Sequence, residues 1–146
     1  ASEQHPLAHR SNHRLESTFH QVDEAIAMAT MYTANHCNAR LIVALTETGS
    51  TALWMSRIRS HLPIFGLTPN KRSLGRMSLY RGVEPKLFVQ DVKTSSHAEH
   101  KEQINFLAVD YIKELGIMDP GELLILTHGE HVHRKGGTNS MKVYRI

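Results

Sequence analysis

The chain has 146 residues, of which 40% are hydrophobic, and carries a formal net charge of +3 when its 11 histidines are neutral. This length predicts one domain with one hydrophobic core, since domains usually have about 100–200 residues. The basic residues are scattered, which argues against a nucleic-acid-binding protein, and no apolar run reaches the roughly 20 residues that a membrane-spanning helix needs. The single cysteine, Cys37, ends an apolar helical pattern, so we expect an inert core thiol in a reducing, cytoplasmic compartment.

The first part of the chain differs in composition from the rest. Residues 1–20 are polar and rich in histidine, with Pro6 early and no sustained hydrophobic period. They are predicted to form an N-terminal arm or linker, and such a beginning suggests a piece of a longer protein. The folded domain is predicted to span residues 21–146.

A first helix is predicted from Val22 to near Asn38. Apolar residues recur in this segment at spacings of three and four, the period of a helix with one buried face. Asp23 and Glu24 lie in the first turn, where the helix dipole favours acidic side chains.

Short apolar runs alternate with helical patterns along the remaining chain. Buried strands are predicted at residues 41–45, 62–68, 86–89 and 123–127, with helices at 52–59, 70–80 and 96–116 between them. A last, alternating strand at 141–145 follows the fourth strand without a helix, so it is predicted to be antiparallel to its neighbour.

This alternation predicts an α/β fold. We expect a three-layer α/β/α sandwich with a mostly parallel five-stranded sheet whose last strand is antiparallel. Ligands of such sheets bind beyond the carboxyl ends of the strands. The turn after the first strand is therefore the first place to look for a site.

That turn joins Leu45 to the second helix and consists of small hydroxyl residues around one glycine. It contains Thr46, Thr48, Gly49, Ser50 and Thr51. Hydroxyls and outward-facing backbone N–H groups at a helix start form a cup for phosphate. An ordinary capped turn is the competing interpretation. The motif is neither a P-loop nor Gly-x-Gly-x-x-Gly, which argues against an NTPase or a dehydrogenase.

A polar loop at residues 128–139 leaves the fourth strand and is expected at the same edge of the sheet. Its cations Arg134 and Lys135 precede Gly136 and Gly137, and together they are suited to closing over an anion. A flexible solvated connection explains the same pattern.

Two enzymatic or metal-binding interpretations are weaker. His128, His131 and His133 lie in a glycine-bounded loop without a helix to fix them, so no metal site is predicted. Ser50 lacks the Gly-x-Ser-x-Gly frame of a hydrolase and has no assignable acid and base partners. His97 and His100, near the start of a helix, are expected to be exposed.

Taken together, the motifs resemble the C-terminal domain of pyruvate kinase, in particular that of the bacterial enzymes. They occur in the order and nearly the spacing of that family from about residue 13 to the end. The matching stretches are Asp-Glu-Ala-Ile-Ala-Met at 23–28, Leu-Thr-Glu-Thr-Gly at 45–49, Thr-Ala-Leu at 51–53, Ser-Arg at 56–57, Leu-Pro-Ile-Phe at 62–65, Leu-Tyr-Arg-Gly-Val-x-Pro at 79–85, Gly-Glu-Leu at 121–123 and Gly-Thr-Asn-Ser-Met at 137–141.

The resemblance implies a regulatory and subunit-assembly domain. In the whole enzyme it follows catalytic domains that bind phosphoenolpyruvate, ADP, magnesium and potassium and phosphorylate ADP, whereas this domain has no catalytic residue or cofactor and does not catalyse alone. It is expected to bind a sugar phosphate or nucleotide monophosphate effector, to contact its own catalytic domains and to form homo-oligomers. The implied effector site consists of Thr46, Thr48, Gly49, Ser50, Thr51, Lys135, Gly136, Gly137 and Thr138.

One residue departs from the family. Many members have arginine where this chain has Ser50, and the loss of a charge-assisted contact to phosphate is worth about 1.5–3 kcal/mol. We expect weaker binding or a less charged effector, with Arg134 and Lys135 supplying the missing charge. A free-standing ligand-binding domain and a serine hydrolase are the alternative functions.

Overall fold

A computed structural model describes residues 21–93, 96–129 and 137–146. The arm predicted for residues 1–20 lies outside this part of the chain. In chain order the elements are α1 Val22–His36, β1 Leu41–Leu45, α2 Ser50–Ser56, β2 Ile64–Thr68, α3 Lys71–Met77, β3 Val83–Leu87, α4 His97–Glu114, β4 Leu123–Gly129 and β5 Thr138–Arg145.

The strands form one sheet in the order β3-β2-β1-β4-β5. The first four strands are parallel, and β5 is antiparallel to β4. The central strand β1 pairs on both sides, with Val43 between Phe65 of β2 and Leu126 of β4. The predicted fold class, including the reversed last strand, is confirmed.

The alternation of side chains along β1 divides the core into two halves. Ile42 and Ala44 face α1, α2 and α3, while Leu41, Val43 and Leu45 face α4, because successive strand residues point to opposite faces. The helices contribute Ala27, Met31, Ala34, Ala52, Met55 and Met77 to the first half and Ala108, Val109 and Ile112 to the second. With helices on both faces, every residue of β1 is buried.

Two helices, α3 and α4, begin within one residue of the predicted positions. The Asn70 side chain accepts a hydrogen bond from the N–H of Arg72 at 2.9 Å, and Ser96 accepts one from the N–H of Glu99 at 3.2 Å. Both are N-caps, which satisfy amides that have no partner inside the helix.

The third strand begins earlier than predicted. It spans Val83–Leu87 and pairs with β2, whereas the sequence placed it at residues 86–89. Pro85 lies inside the strand, and proline is tolerated there because β3 is an edge strand.

The last two strands are longer than predicted. His128 pairs with Ser140 and Gly129 with Thr138, so the hairpin extends into the segment that was predicted to be a loop. His128 therefore belongs to β4, and its backbone is fixed by the sheet.

Cys37 is exposed, so the expectation of a core thiol is wrong. It caps the carboxyl end of α1 just before Asn38, whose φ of 53° turns the chain away from the helix. In the part of the chain that the structure describes, none of the helices is both long and apolar enough to cross a bilayer.

Candidate functional site

A cavity of about 130 Å³ lies beyond the carboxyl ends of the parallel strands. Its walls come from the ends of β1, β2, β3 and β4, from the starts of α2 and β5 and from α4. The lining residues are Leu45, Thr46, Glu47, Thr48, Ser50, Thr51, Leu67, Pro69, Phe88, Gln90, His100, Ile104, His128, Gly129, Gly137 and Thr138. The cavity is therefore at the edge of the sheet where ligands of this architecture bind.

One wall is the threonine turn, which we define as residues 46–51. Gly49 has a φ of 85°, a left-handed conformation that favours glycine. The N–H of Gly49 donates to Thr46 Oγ1 at 2.9 Å, and the N–H of Ser50 donates to Thr48 Oγ1 at 3.3 Å. The expectation of free outward-facing amides is thus wrong for these two groups, because neighbouring threonine hydroxyls already bind them.

The opposite wall is the β4–β5 hairpin, and a hydrogen bond joins the two walls. Thr51 Oγ1 donates to Thr138 Oγ1 at 2.6 Å, and both residues are buried. Gly129 and Gly137 approach each other so closely that a Cβ on Gly129 would collide with the Gly137 carbonyl oxygen. The early and late predicted segments therefore meet at one cavity.

Beside the threonine turn lies a buried carboxyl group, that of Asp23 at the start of α1. Its Oδ2 accepts hydrogen bonds from Ser50 Oγ at 2.8 Å and from Trp54 Nε1 at 3.2 Å. Asp23 is 0% exposed. Besides stabilising the start of α1 by its charge, as the sequence suggested, it joins α1 to α2 through these two hydrogen bonds. Since the Ser50 hydroxyl donates to Asp23 instead of to a histidine, the arrangement does not support a serine nucleophile.

The charge of the cavity differs from the expectation for an anion site. Among its described lining residues there is no lysine or arginine, and Glu47 is acidic. Arg76 of α3 is a described cation in contact with the threonine turn, since its Nη1 donates to the Thr48 carbonyl oxygen at 3.3 Å. Sequence reasoning missed Arg76 because the contact spans 28 residues.

Two histidines, His128 and His100, line the cavity. His128 was predicted to lie in a loop, and His100 was expected to be exposed. His128 Nδ1 lies 2.8 Å from Oδ1 of Asn105, a fully buried residue of α4. Burial, with Lys101 and His100 nearby, lowers the pKa of His128 from its ordinary value of 6.5 to about 4. The imidazole is therefore neutral near pH 7.

His100 is half-buried and lines the cavity, so the expectation that it is exposed is wrong. Its Nδ1 lies 3.2 Å from the Val92 carbonyl oxygen. Phe88 and Ile104 add an apolar wall next to it. A helical period of four places His100 and Ile104 on one face of α4, a signal that the sequence did contain.

The remaining predicted site residues have different outcomes. Gly137 and Thr138 line the cavity, whereas Arg134, Lys135 and Gly136 lie outside the described residues. His131 and His133 lie outside as well. Within residues 21–93, 96–129 and 137–146, no three histidine, cysteine, aspartate or glutamate side chains are grouped so that they could hold a metal ion.

The fold and cavity define a class: an α/β domain with a mostly parallel sheet and a candidate ligand site at its carboxyl edge. The family model described as "Pyruvate kinase, alpha/beta domain" matches residues 24–144, and the chain belongs to this family. The resemblance inferred from the motifs is thereby confirmed.

Curated relatives agree with the family match. Over 146 residues, which are 99% of this chain, it is 38% identical both to the pyruvate kinase of Buchnera aphidicola subsp. Baizongia pistaciae (strain Bp) and to pyruvate kinase II of Salmonella typhimurium (strain LT2). It is 33% identical over 122 residues to the pyruvate kinase of Staphylococcus epidermidis (strain RP62A), covering 84% of this chain and 20% of that protein. The chain spans 29% of the length of the first two relatives.

Proposed function

We propose that this domain binds a phosphorylated effector in the cavity beyond β1 and β4 and serves as a regulatory and assembly domain of a pyruvate kinase. The effector is a sugar phosphate or a nucleoside monophosphate. The observation that carries the proposal is the Thr51–Thr138 hydrogen bond of 2.6 Å, which makes the threonine turn and the hairpin two walls of one site.

Hydroxyl groups are the donors that the cavity offers to phosphate. Thr46, Thr48 and Thr138 each use the hydroxyl oxygen to accept a hydrogen bond within the described structure. Each hydroxyl hydrogen is then left to donate to a ligand oxygen. Three hydroxyl donors that line one cavity suit the oxygens of one phosphate group.

The charge of the phosphate needs a cation, and the described cavity wall has none. Arg76 already contacts the threonine turn, and Arg134 and Lys135 are the cations that the sequence places near it. A charge-assisted hydrogen bond contributes about 1.5–3 kcal/mol. Many family members have arginine at the position of Ser50. We therefore propose that Arg76, together with Arg134 and Lys135, supplies the positive charge that this arginine would provide.

Membership of the pyruvate kinase family supports the wider role. A whole protein of this kind transfers a phosphoryl group from phosphoenolpyruvate to ADP in the cytoplasm, using magnesium and potassium in domains outside this chain. The present domain contributes effector binding and contacts between subunits. It acts on the reaction only through different effector affinities in two arrangements of the oligomer.

The binding proposal is tested by calorimetric titration of the 146-residue chain with ribose 5-phosphate and AMP, and with ribose and adenosine as unphosphorylated controls. We expect binding of at least one phosphorylated compound and none of its unphosphorylated counterpart. Equal binding of both forms, or of neither, contradicts the proposal.

Variants locate the site. Thr46→Val with Thr48→Val should weaken binding by about tenfold or more, since each lost hydrogen bond is worth about 1 kcal/mol. Thr33→Val on α1, away from the cavity, is the matched control and should bind as the unmodified chain does. Arg76→Ala should also weaken binding, and unchanged affinity would remove Arg76 from the proposal.

The assembly role is tested separately by sedimentation equilibrium over a range of concentrations. Association into dimers or larger species supports it. A chain that stays monomeric at high concentration, with and without ribose 5-phosphate, contradicts subunit assembly through this domain alone.

A further inference from the structure

The cavity also has a wall on the α4 face of the sheet, where His128, His100 and Ile104 lie. We infer that His128 determines specificity there by accepting, at Nε2, a hydrogen bond from a hydroxyl or amino group at the unphosphorylated end of the effector. This inference rests on the proposed function, because it describes the other half of the same ligand.

The orientation of the Asn105 amide selects the tautomer of the ring. His128 Nδ1 lies 2.8 Å from the amide oxygen of Asn105, and an amide oxygen can only accept. With the amide in this orientation, a neutral ring carries its hydrogen on Nδ1 and has a lone pair on Nε2. Among the described residues, no hydrogen bond occupies Nε2, while the ring itself lines the cavity.

The position of the ring is fixed from two directions. Asn105 is 0% exposed and holds the imidazole from the side of α4. The main chain of His128 is held by the sheet, where it pairs with Ser140, and its carbonyl oxygen accepts from Ser140 Oγ at 2.9 Å. The acceptor is thus presented by a rigid element, which favours selective recognition.

The ring resists protonation, so it stays an acceptor. Burial, Lys101 and His100 all lower the pKa of His128, to about 4. Phosphate oxygens carry no hydrogen in the dianion and are acceptors themselves, so a neutral imidazole with a bare Nε2 does not bind them. The two parts of the cavity are chemically different: hydroxyl donors at the threonine turn and an acceptor at His128.

This difference predicts which ligands fit. A monophosphate with a free hydroxyl or amino group at its other end satisfies both parts of the cavity. A bisphosphate places its second phosphate against the lone pair of His128 and loses that hydrogen bond. Phe88 and Ile104 line the cavity with these groups and cover the apolar part of such a ligand.

The experiment uses the 146-residue chain and three probes: ribose 5-phosphate, ribose 1,5-bisphosphate and inorganic phosphate. We expect ribose 5-phosphate to bind more tightly than the bisphosphate. His128→Phe keeps a ring but removes the acceptor, and should weaken ribose 5-phosphate about tenfold without changing the affinity for inorganic phosphate. His128→Gln retains an acceptor oxygen and should stay within about threefold of the unmodified chain.

The matched control is His97→Phe, an exposed histidine on the same helix as Asn105. It should leave all three affinities unchanged. Unaltered binding of ribose 5-phosphate by His128→Phe, or tighter binding of the bisphosphate by the unmodified chain, would overturn the inference while leaving the phosphate site intact. Binding of no probe by the unmodified chain would overturn the proposed function and the inference with it.

A nitrogen NMR spectrum of the histidines gives a readout that does not depend on folding of the variants. We expect His128 to show a protonated Nδ1 and an unprotonated Nε2, with the Nε2 resonance shifting on addition of ribose 5-phosphate but not of inorganic phosphate. A hydrogen on Nε2, or an unshifted resonance at saturating ribose 5-phosphate, would contradict the inference.

Discussion

Cavities lie at both ends of the strands, which we call the carboxyl edge and the amino edge, and they differ in size and charge. At the carboxyl edge the cavity of about 130 Å³ is lined by hydroxyls, imidazoles, apolar side chains and one glutamate, with no described lysine or arginine. At the amino edge a larger hollow of about 340 Å³ is lined by Arg57, Arg59 and Arg81. Size and positive charge alone would therefore select the amino edge.

What distinguishes the carboxyl edge is the geometry of its hydrogen-bonding groups. The threonine turn and the hairpin are joined by a buried hydrogen bond, and hydroxyl groups of both line the cavity. At the amino edge, Arg57 instead lies over the Trp54 ring at 5.0 Å from its centre, a contact that supports the fold. The proposed site therefore rests on fixed hydrogen-bonding groups and not on net charge.

The largest expected effect comes from a pair of glycines, one at each edge. Gly49 in the threonine turn and Gly82 at the amino edge both have positive φ, 85° and 74°. A Cβ on Gly49 would also press on Met77 Cγ at 2.9 Å, whereas one on Gly82 would meet nothing within 4 Å. Gly49→Ala should lower the free energy of unfolding by about 2–4 kcal/mol and Gly82→Ala by about 1–2 kcal/mol.

Urea denaturation of both variants measures the difference. Since the backbone cost is similar at both positions, the excess at Gly49 reports the packing of the turn against α3. Equal losses would show that Met77 moves aside and that the turn is no more tightly held than the amino edge.

A smaller effect is expected from pH, through His128. Its pKa is about 4 in the folded chain and near 6.5 when unfolded, so the unfolded state binds a proton that the folded state refuses. The contribution of neutral His128 is fully present above about pH 6.5 and is lost as the pH falls towards about 4, to a total of roughly 3 kcal/mol.

Urea denaturation from about pH 7 to about pH 4.5 should show this loss in the unmodified chain and a shallower slope in His128→Gln, which cannot be protonated. Parallel slopes would mean that protonated His128 is tolerated in the fold. Comparing the two chains removes the contribution of the carboxyl groups, which titrate in both.

The bond between the two walls should show an effect of about 1–3 kcal/mol. Thr51→Val removes the donor and leaves the buried Thr138 hydroxyl without its partner, which lowers the free energy of unfolding by that amount. The double variant with Thr138→Val should lose less than the sum of the two single variants, by at least about 0.5 kcal/mol. Strictly additive losses in this cycle would show that the walls are not coupled.

The smallest effect is predicted at the amino edge. Arg57→Ala loses the contact with Trp54 and should lower the free energy of unfolding by about 0.5–1 kcal/mol. Binding of ribose 5-phosphate should be unchanged, in contrast to Arg76→Ala. Weakened binding in Arg57→Ala would indicate that charge at a distance, and not fixed donors, governs the cavity.

Much of the fold was accessible from the sequence because its signals are local. Apolar runs such as residues 41–45 predict buried strands. The N-caps Asn70 and Ser96 lie where their helices begin. The threonine turn was found for the same reason. The fully apolar pattern of β1 and the missing helix before β5 were enough to predict the parallel sheet and its reversed last strand.

The parts that were missed depend on contacts between distant residues. His128 was assigned to a loop because its strand neighbour, Ser140, is visible only once the hairpin is paired. Its link to Asn105 spans 23 residues, and the bond from Ser50 to Asp23 spans 27. No local pattern distinguishes a buried Asp23 from an acid that merely stabilises a helix end.

The shared acceptor at Asp23 connects the fluorescence of Trp54 to Ser50. Trp54 is the single tryptophan of the chain, and its indole N–H and the Ser50 hydroxyl end on the same carboxyl oxygen. Indole emission responds to the strength and polarity of that contact, so a disturbance of Ser50 should change the colour of the protein's fluorescence. Trp54 emission is therefore a dye-free readout of changes at Ser50, a residue of the cavity wall.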